Sequence, residues 1–270
     1  MPRLKIVTIN ILTDLSRWAQ RRSLLLQGLA VLSPDLIAMQ EVKLPQNPAR
    51  WLADQLGYPH ILLSPKMRYS ASREALAILS RLPFKEESVL DLGGQDRIAQ
   101  RVGLDLGNST IYIANSHLYW QPGESPARLQ QVERLQNWLL GFSGNPPGIV
   151  CGDFNGTPET HAIQLMRQRY LSAYTAIHGK EPDYTCPTPL PRSPWSVTRT
   201  FLGFFLLIRP QHINLSWRGT LDYVFVDPRL AVTQCQVVLD QASPENPRIY
   251  PSDHFGLFTE IEIPINIPTE

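Results

Sequence analysis

The chain has 270 residues, 43% of them hydrophobic, with 25 Lys and Arg against 24 Asp and Glu and a formal net charge of +1. This composition excludes a disordered chain and is enough for a substantial core, while the near-neutral balance excludes a global pull toward nucleic acid or anionic lipid, so any polyanionic partner is met locally. Cys151, Cys186 and Cys235 are scattered without CxxC spacing, "MPRLKIVTINIL" lacks signal-peptide character and no apolar run reaches bilayer length, so a soluble cytoplasmic protein is expected, without disulfide framework or zinc site.

In chain order, short β-branched runs alternate with longer helical patterns. "LKIVTIN" reads as a strand ending in Asn10, and 14–32, with Trp18, Leu25, Leu26, Leu29 and Leu32, as an amphipathic helix. "DLIAMQE" is a strand ending in Glu41. "NPARWLADQLG" opens with a cap residue and Pro and closes on Gly, the punctuation of a helix. "SPKMRYSASRE" is a basic loop whose Lys66, Arg68 and Arg73 are either solvated or set to meet phosphates. "RIAQRVGL" is a strand carrying Arg101. "TIYIANSH" ends in His117, with Tyr119 and Trp120 just beyond, and "SPARLQQVERLQNWLLG" repeats the helix punctuation.

The stretch "GIVCGDFNGTP" climbs out of an apolar run and sets Asp153 and Asn155 two residues apart, on one side of an extended backbone. "TPETHAIQLMRQR" then starts a helix. The Pro-rich "CPTPLPRSPW" at 186–195 reads as an irregular excursion between strands, and "TFLGFFLLI" at 200–208 is unusually apolar for such a place, covered by the core, by a dimer partner or, less simply, by a membrane. "GTLDYVFV" carries Asp222 inside an apolar strand, where an unpaired carboxylate is costly, and "YPSDHFGLFTEIEI" supplies Asp253 and His254. Without internal repeats or a low-complexity linker, residues 1–270 read as one layered α/β domain with its site on loops.

Each polar residue alone has a plain structural explanation as a turn or cap. Together they are strands that repeatedly end in metal-type or proton-transfer side chains. Oxygen ligands without a cysteine cluster select a hard cation, Mg²⁺ or Mn²⁺. A hard cation with two imidazoles and an amide suits hydrolysis of a phosphate ester by metal-assisted water attack.

"TIN", "AMQE", "NSHL", "GDFNGTP", "LDYVF" and "SDHFGL", in this order over nearly the whole chain, resemble the endonuclease/exonuclease/phosphatase (DNase I-like) superfamily. The resemblance implies a four-layer α-β-β-α sandwich of two mixed sheets flanked by helices. It implies metal ligation by Glu41 with Asn10 and Asp253, and water activation by Asp153. Asn155 would steady the phosphoryl oxygens, His254 would transfer protons with its tautomer fixed by Asp222, and His117 would be a second imidazole paired with Glu74. Ala75 follows Glu74 where the family pattern has Gly. Arg101 resembles a basic residue near the site, and Tyr119 and Trp120 offer rings on which a base could stack.

The implied activity is a Mg²⁺-dependent (or Mn²⁺-dependent) phosphodiesterase, nuclease-like and closest to the deadenylase branch, acting on an RNA or DNA 3′ end. The alternatives are a sphingomyelinase-like lipid phosphodiesterase contacting membrane through 200–208, a phosphatase on a small phosphorylated metabolite, and a non-catalytic pseudoenzyme. Leu12 two residues after Asn10 disfavours an abasic-site endonuclease.

Overall fold

The β-branched runs pair into two six-stranded sheets in the computed structural model, which describes residues 2–106, 110–121, 123–141, 146–190 and 217–264. The first has the order β11 (Ala231–Val238), β12 (Gly256–Glu262), β1 (Arg3–Asn10), β2 (Leu36–Lys43), β4 (Glu74–Ser80), β3 (His60–Pro65). The second has β5 (Phe84–Gly93), β6 (Arg97–Asp105), β7 (Thr110–His117), β8 (Gly148–Asp153), β10 (Asp222–Val226), β9 (Leu171–Ser172). Each sheet is antiparallel except for one parallel pair, β1 with β2 and β7 with β8. A parallel pair needs a crossover, and α1 (Trp18–Leu32) and α3 (Pro126–Leu140) provide it. Helices on the outer faces of two packed mixed sheets make the expected four-layer sandwich.

Strand alternation assigns the layers. Leu4, Ile6, Leu36, Ala38, Ile78, Val102, Leu104, Ile111, Ile113, Ile149, Cys151, Val224 and Val226 form one cluster between the sheets. Their odd-and-even neighbours, such as Val7, Ile9, Ile37 and Met39, pack outward with Leu25 and Leu29 of α1, while Val150, Phe154, Tyr223 and Phe225 pack outward with Val132 and Leu135 of α3. Each such side chain removed from water contributes roughly 1.5–3 kcal/mol. All three cysteines are buried and free. No helix among the described residues is long and apolar enough to cross a membrane.

Two helices start later than the sequence suggests. Asp14 Oδ1 accepts from Ser16 N, a turn that delays the first helix to Trp18. Thr157 spends its hydroxyl on Glu159 rather than as a cap, and the next helix, His161–Arg167, begins at His161. Asn47 and Ser125 do cap their helices, accepting from Arg50 N and Arg128 N. The apolar stretch 200–208 and the second half of the Pro-rich excursion, 191–195, lie outside the described residues.

The inter-sheet face changes character along each strand. After Leu4 and Ile6 comes Thr8, after Leu36 and Ala38 comes Gln40, and after Ile111 and Ile113 comes Asn115, all fully buried. Gln40 Nε2 donates to Thr8 Oγ1 (3.0 Å) and across to Asn115 Oδ1 (2.8 Å), and Asn115 Nδ2 donates back to the carbonyls of Met39 (3.0 Å) and Ala77 (3.1 Å). This cross-link fixes the spacing of the sheets just below the site. Asn115→Leu keeps the volume but leaves two buried carbonyls without their donor, so a loss of about 3 kcal/mol is expected from urea unfolding. A change under ~0.5 kcal/mol would show that the cross-link is not structural.

Candidate active site

One residue further along the same faces, polarity becomes charge. The register sets His117 beside Asp153 across β7 and β8, and Asp153 beside Asp222 across β8 and β10, giving one row on the inter-sheet face. From the other sheet come Asn10, paired in register with Gln40, and Glu74 at the start of β4. Gly152 permits this row: it holds φ +134°, and a Cβ there would meet Ser116 O at 2.0 Å.

Glu41 enters differently. The β2–β4 register shifts between Met39 and Val42, and Glu41 adopts φ +59°. This bulge lets successive residues serve different tasks: Gln40 stays between the sheets, and Glu41 is re-aimed at the site. Among the described residues the groups that bond it are neutral, with Thr13 N (2.9 Å) and Thr13 Oγ1 (2.8 Å) on Oε2 and Asn10 Nδ2 (3.3 Å) on Oε1. Burial and the Glu74 charge act to raise its pKa, but the His117 ring beside it, the Thr13 N–H bond and the Lys66 charge prevail, and the group is held below its ordinary value and ionised.

Asp153 joins the two halves. Its Oδ2 accepts from Asn10 Nδ2 at 3.0 Å and lies 3.4 Å from His117 Nε2 and 3.9 Å from His254 Nε2, while Oδ1 accepts from Asn155 N at 2.9 Å. His254 Nδ1 lies 2.8 Å from Asp222 Oδ2, which also accepts from Thr185 Oγ1 at 2.6 Å. Burial lowers the His254 pKa, but the Asp222 carboxylate, with Asp153 behind it, raises it well above the ordinary value, so the ring is an imidazolium with a proton on each nitrogen. His117 goes the other way: burial, with Arg97 and Lys66 nearby, holds it well below its ordinary value and neutral. Its Nδ1 faces Glu74 Oε1 at 3.6 Å.

Asn155, at φ +50°, donates from Nδ2 to Leu118 O (3.1 Å), which leaves the second amide hydrogen for a ligand. Asp253 is half-buried beside Ser252, whose hydroxyl donates to Asn10 O at 2.6 Å. Tyr119 is half-buried and Trp120 is exposed, with their backbone N–H groups held by Gln131 Oε1 and Gln95 Oε1.

Arg101 stands apart, and its expected place near the substrate is corrected. In β6 the inter-sheet positions are Val102 and Leu104, so Arg101 falls on the outer face. There its buried guanidinium pairs with Glu86 at 2.6 Å and lies over the rings of Tyr112 and Trp138. The alternation within "RIAQRVGL" itself carried that signal. The basic side chains that do reach Glu74 are Lys66 and Arg97.

Two further arginines order the loops. Arg21 of α1 donates to the carbonyls of Ile11, Leu12, Asp14 and Pro251, tying the loop after Asn10 to the segment before Asp253. Arg128 of α3 donates to those of Tyr119, Gln121, Gly123 and Asn155, tying the loop after His117 to the one after Asp153. Both sit one crossover helix behind a parallel strand pair. An arginine on a helix face reads as a surface residue in sequence, so nothing there distinguishes them.

The oxygens around Glu41 suit a divalent cation. Among the described residues Glu41 is an anionic carboxylate held by neutral donors, next to the Asn10 amide, and Asp253 is linked to Asn10 through the Ser252 hydroxyl, hard oxygens suited to Mg²⁺ or Mn²⁺. Asp153, Asp222 and His254 also have ligand atoms within 4.8 Å of one another. Asp222 and His254 are already paired to each other, however, which leaves Glu41 as the open anionic ligand.

A family model described as the Endonuclease/Exonuclease/phosphatase family matches residues 7–254. The chain is 27% identical over 208 residues to 2′,5′-phosphodiesterase 12 of Rattus norvegicus (70% of this chain, 32% of that one) and 24% identical over 265 residues to nocturnin of Mus musculus (89% and 58%). It thus spans about a third of the length of the first relative. Solved structures of similar fold include the human nocturnin catalytic domain with bound sulfate (TM-score 0.72, 22% identity, 97% of this chain, 93% of that one) and TDP2 of D. rerio with a single-strand DNA product (0.76, 16%, 97% and 100%).

The imidazole charges give a pH test. His254 has a raised folded-state pKa, so its contribution to stability is complete below the unfolded value near 6.5 and is lost as pH rises through the folded one. His117, with a lowered value, contributes above 6.5 and loses that contribution as pH falls. Imidazole ¹⁵N titration is expected to show His254 protonated well above the ordinary range and Asp222→Asn bringing it down. An unmoved His254 titration in that variant would overturn the pairing.

Proposed function

Since the chain belongs to the endonuclease/exonuclease/phosphatase family, we propose that it is a divalent-metal-dependent phosphodiesterase of the cytoplasm that hydrolyses a nucleic-acid strand at or near its 3′ end. The observation that carries this reading is the position of Asp153. It lies within reach of the His117 and His254 imidazoles and shares the Asn10 amide with the ionised Glu41. The relatives, a 2′,5′-phosphodiesterase and nocturnin, and a structural neighbour holding single-strand DNA favour nucleic acid over lipid. The free buried thiols suit a reducing compartment.

In this reading Glu41, with Asn10 and Asp253, holds Mg²⁺ or Mn²⁺. When bound, such an ion compensates the charge that grows on the phosphoryl oxygens. Asp153 orients the attacking water and takes its proton, with its own orientation set by Asn10 and by Asn155 N. Asn155 offers its remaining amide hydrogen to a phosphoryl oxygen. Asp222 and Thr185 lock the His254 ring so that Nε2–H points at the reacting centre, where it stabilises negative charge and donates to the leaving oxygen. Neutral His117 fills the other side of Asp153, backed by Glu74. Trp120 presents an exposed ring for base stacking.

A chelator is expected to abolish hydrolysis of bis-p-nitrophenyl phosphate, and Glu41→Ala to do the same. Asp153→Asn or His254→Ala is expected to cost at least ~10²-fold in kcat, as for loss of a proton-transfer group. A panel of 3′-tailed RNA, single-stranded DNA, sphingomyelin and inositol phosphates identifies the substrate. Turnover that survives Glu41→Ala, or a preference for sphingomyelin, would refute the assignment.

A further inference from the structure

Beside Glu74 the charge balance reverses. Lys66 Nζ contacts Glu74 Oε1, and Arg97 Nη1 lies 3.9 Å from the same oxygen. Lys66 is 6% exposed and Arg97 5%. Glu74 is the carboxylate in reach of both buried cations, with Glu41 acting on Lys66 from farther away, and neutral His117 adds no charge to either side. Arg97 Nε and Nη1 and His117 Nδ1 are buried with no hydrogen-bond partner among the described residues. Leaving a buried guanidinium edge unbonded is expensive, and a planar N–H fork of this kind matches the oxygens of a phosphate. The more exposed arginines of the neighbouring loop are engaged elsewhere: Arg68 with Asp91 and Asp96, Arg73 with Tyr69. Burial lowers the Lys66 pKa, and repulsion from Arg97 lowers it further, against the pull of Glu74 and Glu41.

We propose that Arg97 and Lys66 form a phosphate subsite on the far side of the His117 ring from Asp153, which takes a second phosphate of the substrate, one linkage away from the ester that is cleaved. The inference rests on the phosphodiesterase reading for its substrate but not for its binding chemistry. A substrate with phosphates on consecutive linkages places one at Asp153 and one at Arg97, so a single isolated diester leaves the second position empty. The subsite selects an oligonucleotide and sets the register of the strand over the reacting centre.

Isothermal titration of the full chain with inorganic phosphate, in chelator so that no divalent ion contributes, tests the binding directly. Arg97→Met is expected to weaken phosphate binding about tenfold or more and Arg97→Lys to recover part of it, the difference between a fork and a point charge. Lys66→Met serves as the second variant, with thermal melting to verify that each protein is folded. In the metal-loaded enzyme, Arg97→Met is expected to raise KM for a dinucleotide with a terminal phosphate at least roughly tenfold more than for bis-p-nitrophenyl phosphate. Phosphate affinity unchanged in both folded variants, no phosphate binding by the parent chain, or equal losses on both substrates would overturn the subsite. Phosphate binding that depends on Arg97 in a protein that cleaves neither substrate would leave the subsite standing and remove the phosphodiesterase reading instead.

Discussion

The site depends on the distance between the two sheets at one end of the sandwich. Asn10 and Glu41 belong to one sheet and Asp153, His117 and Asp222 to the other, yet Asn10 Nδ2 reaches Asp153 at 3.0 Å. Aliphatic packing alone sets such a spacing loosely, because apolar contacts have no direction. The buried layer of Thr8, Gln40 and Asn115 supplies direction through hydrogen bonds whose partners lie on both sheets. In an interior of low polarizability these bonds are strong and their loss is costly, so the layer acts as a rigid floor under the charged groups.

Above that floor the charges are segregated. Glu41, Asp153 and Asp253 give one side a negative character suited to a cation, while Lys66 and Arg97 crowd around Glu74 on the other. The His117 ring divides these regions, and the two imidazole pKa values are shifted in opposite directions. His254 is held charged by Asp222, and His117 is held neutral by burial and neighbouring cations. A proton donor and a neutral imidazole therefore flank the same carboxylate, set by environment rather than by residue type.

The loops around the site are fastened from behind. Arg21 and Arg128 each place a buried guanidinium under two loops and satisfy backbone carbonyls that no strand partner reaches. Each lies on the crossover helix of a parallel pair, so the two halves of the sandwich solve the same problem in the same way. Preorganised loops of this kind lower the cost of bringing reacting groups into register.

Much of this was legible in the chain itself. Apolar runs that end in Asn10, His117, Asp153 or Asp222 announce strands whose inward face turns polar at one end, because alternate residues must share a face and an unpaired carboxylate cannot be left in an apolar strand. Helix punctuation by Asn47–Pro48 and Ser125–Pro126 is likewise local chemistry. What only the tertiary structure decided was everything that needs two distant segments or an interrupted register: the bulge that turns Glu41 into the site, the pairing of Arg101 with Glu86, the two arginine clamps and, among the described residues, the unbonded edge of Arg97 beside Lys66. A side chain's type is written in the sequence. Its electrical and hydrogen-bonding environment is made by segments distant in the chain, as Asp153 is from Asn10 and Asp222 from His254, and it exists only once the two sheets have closed on each other.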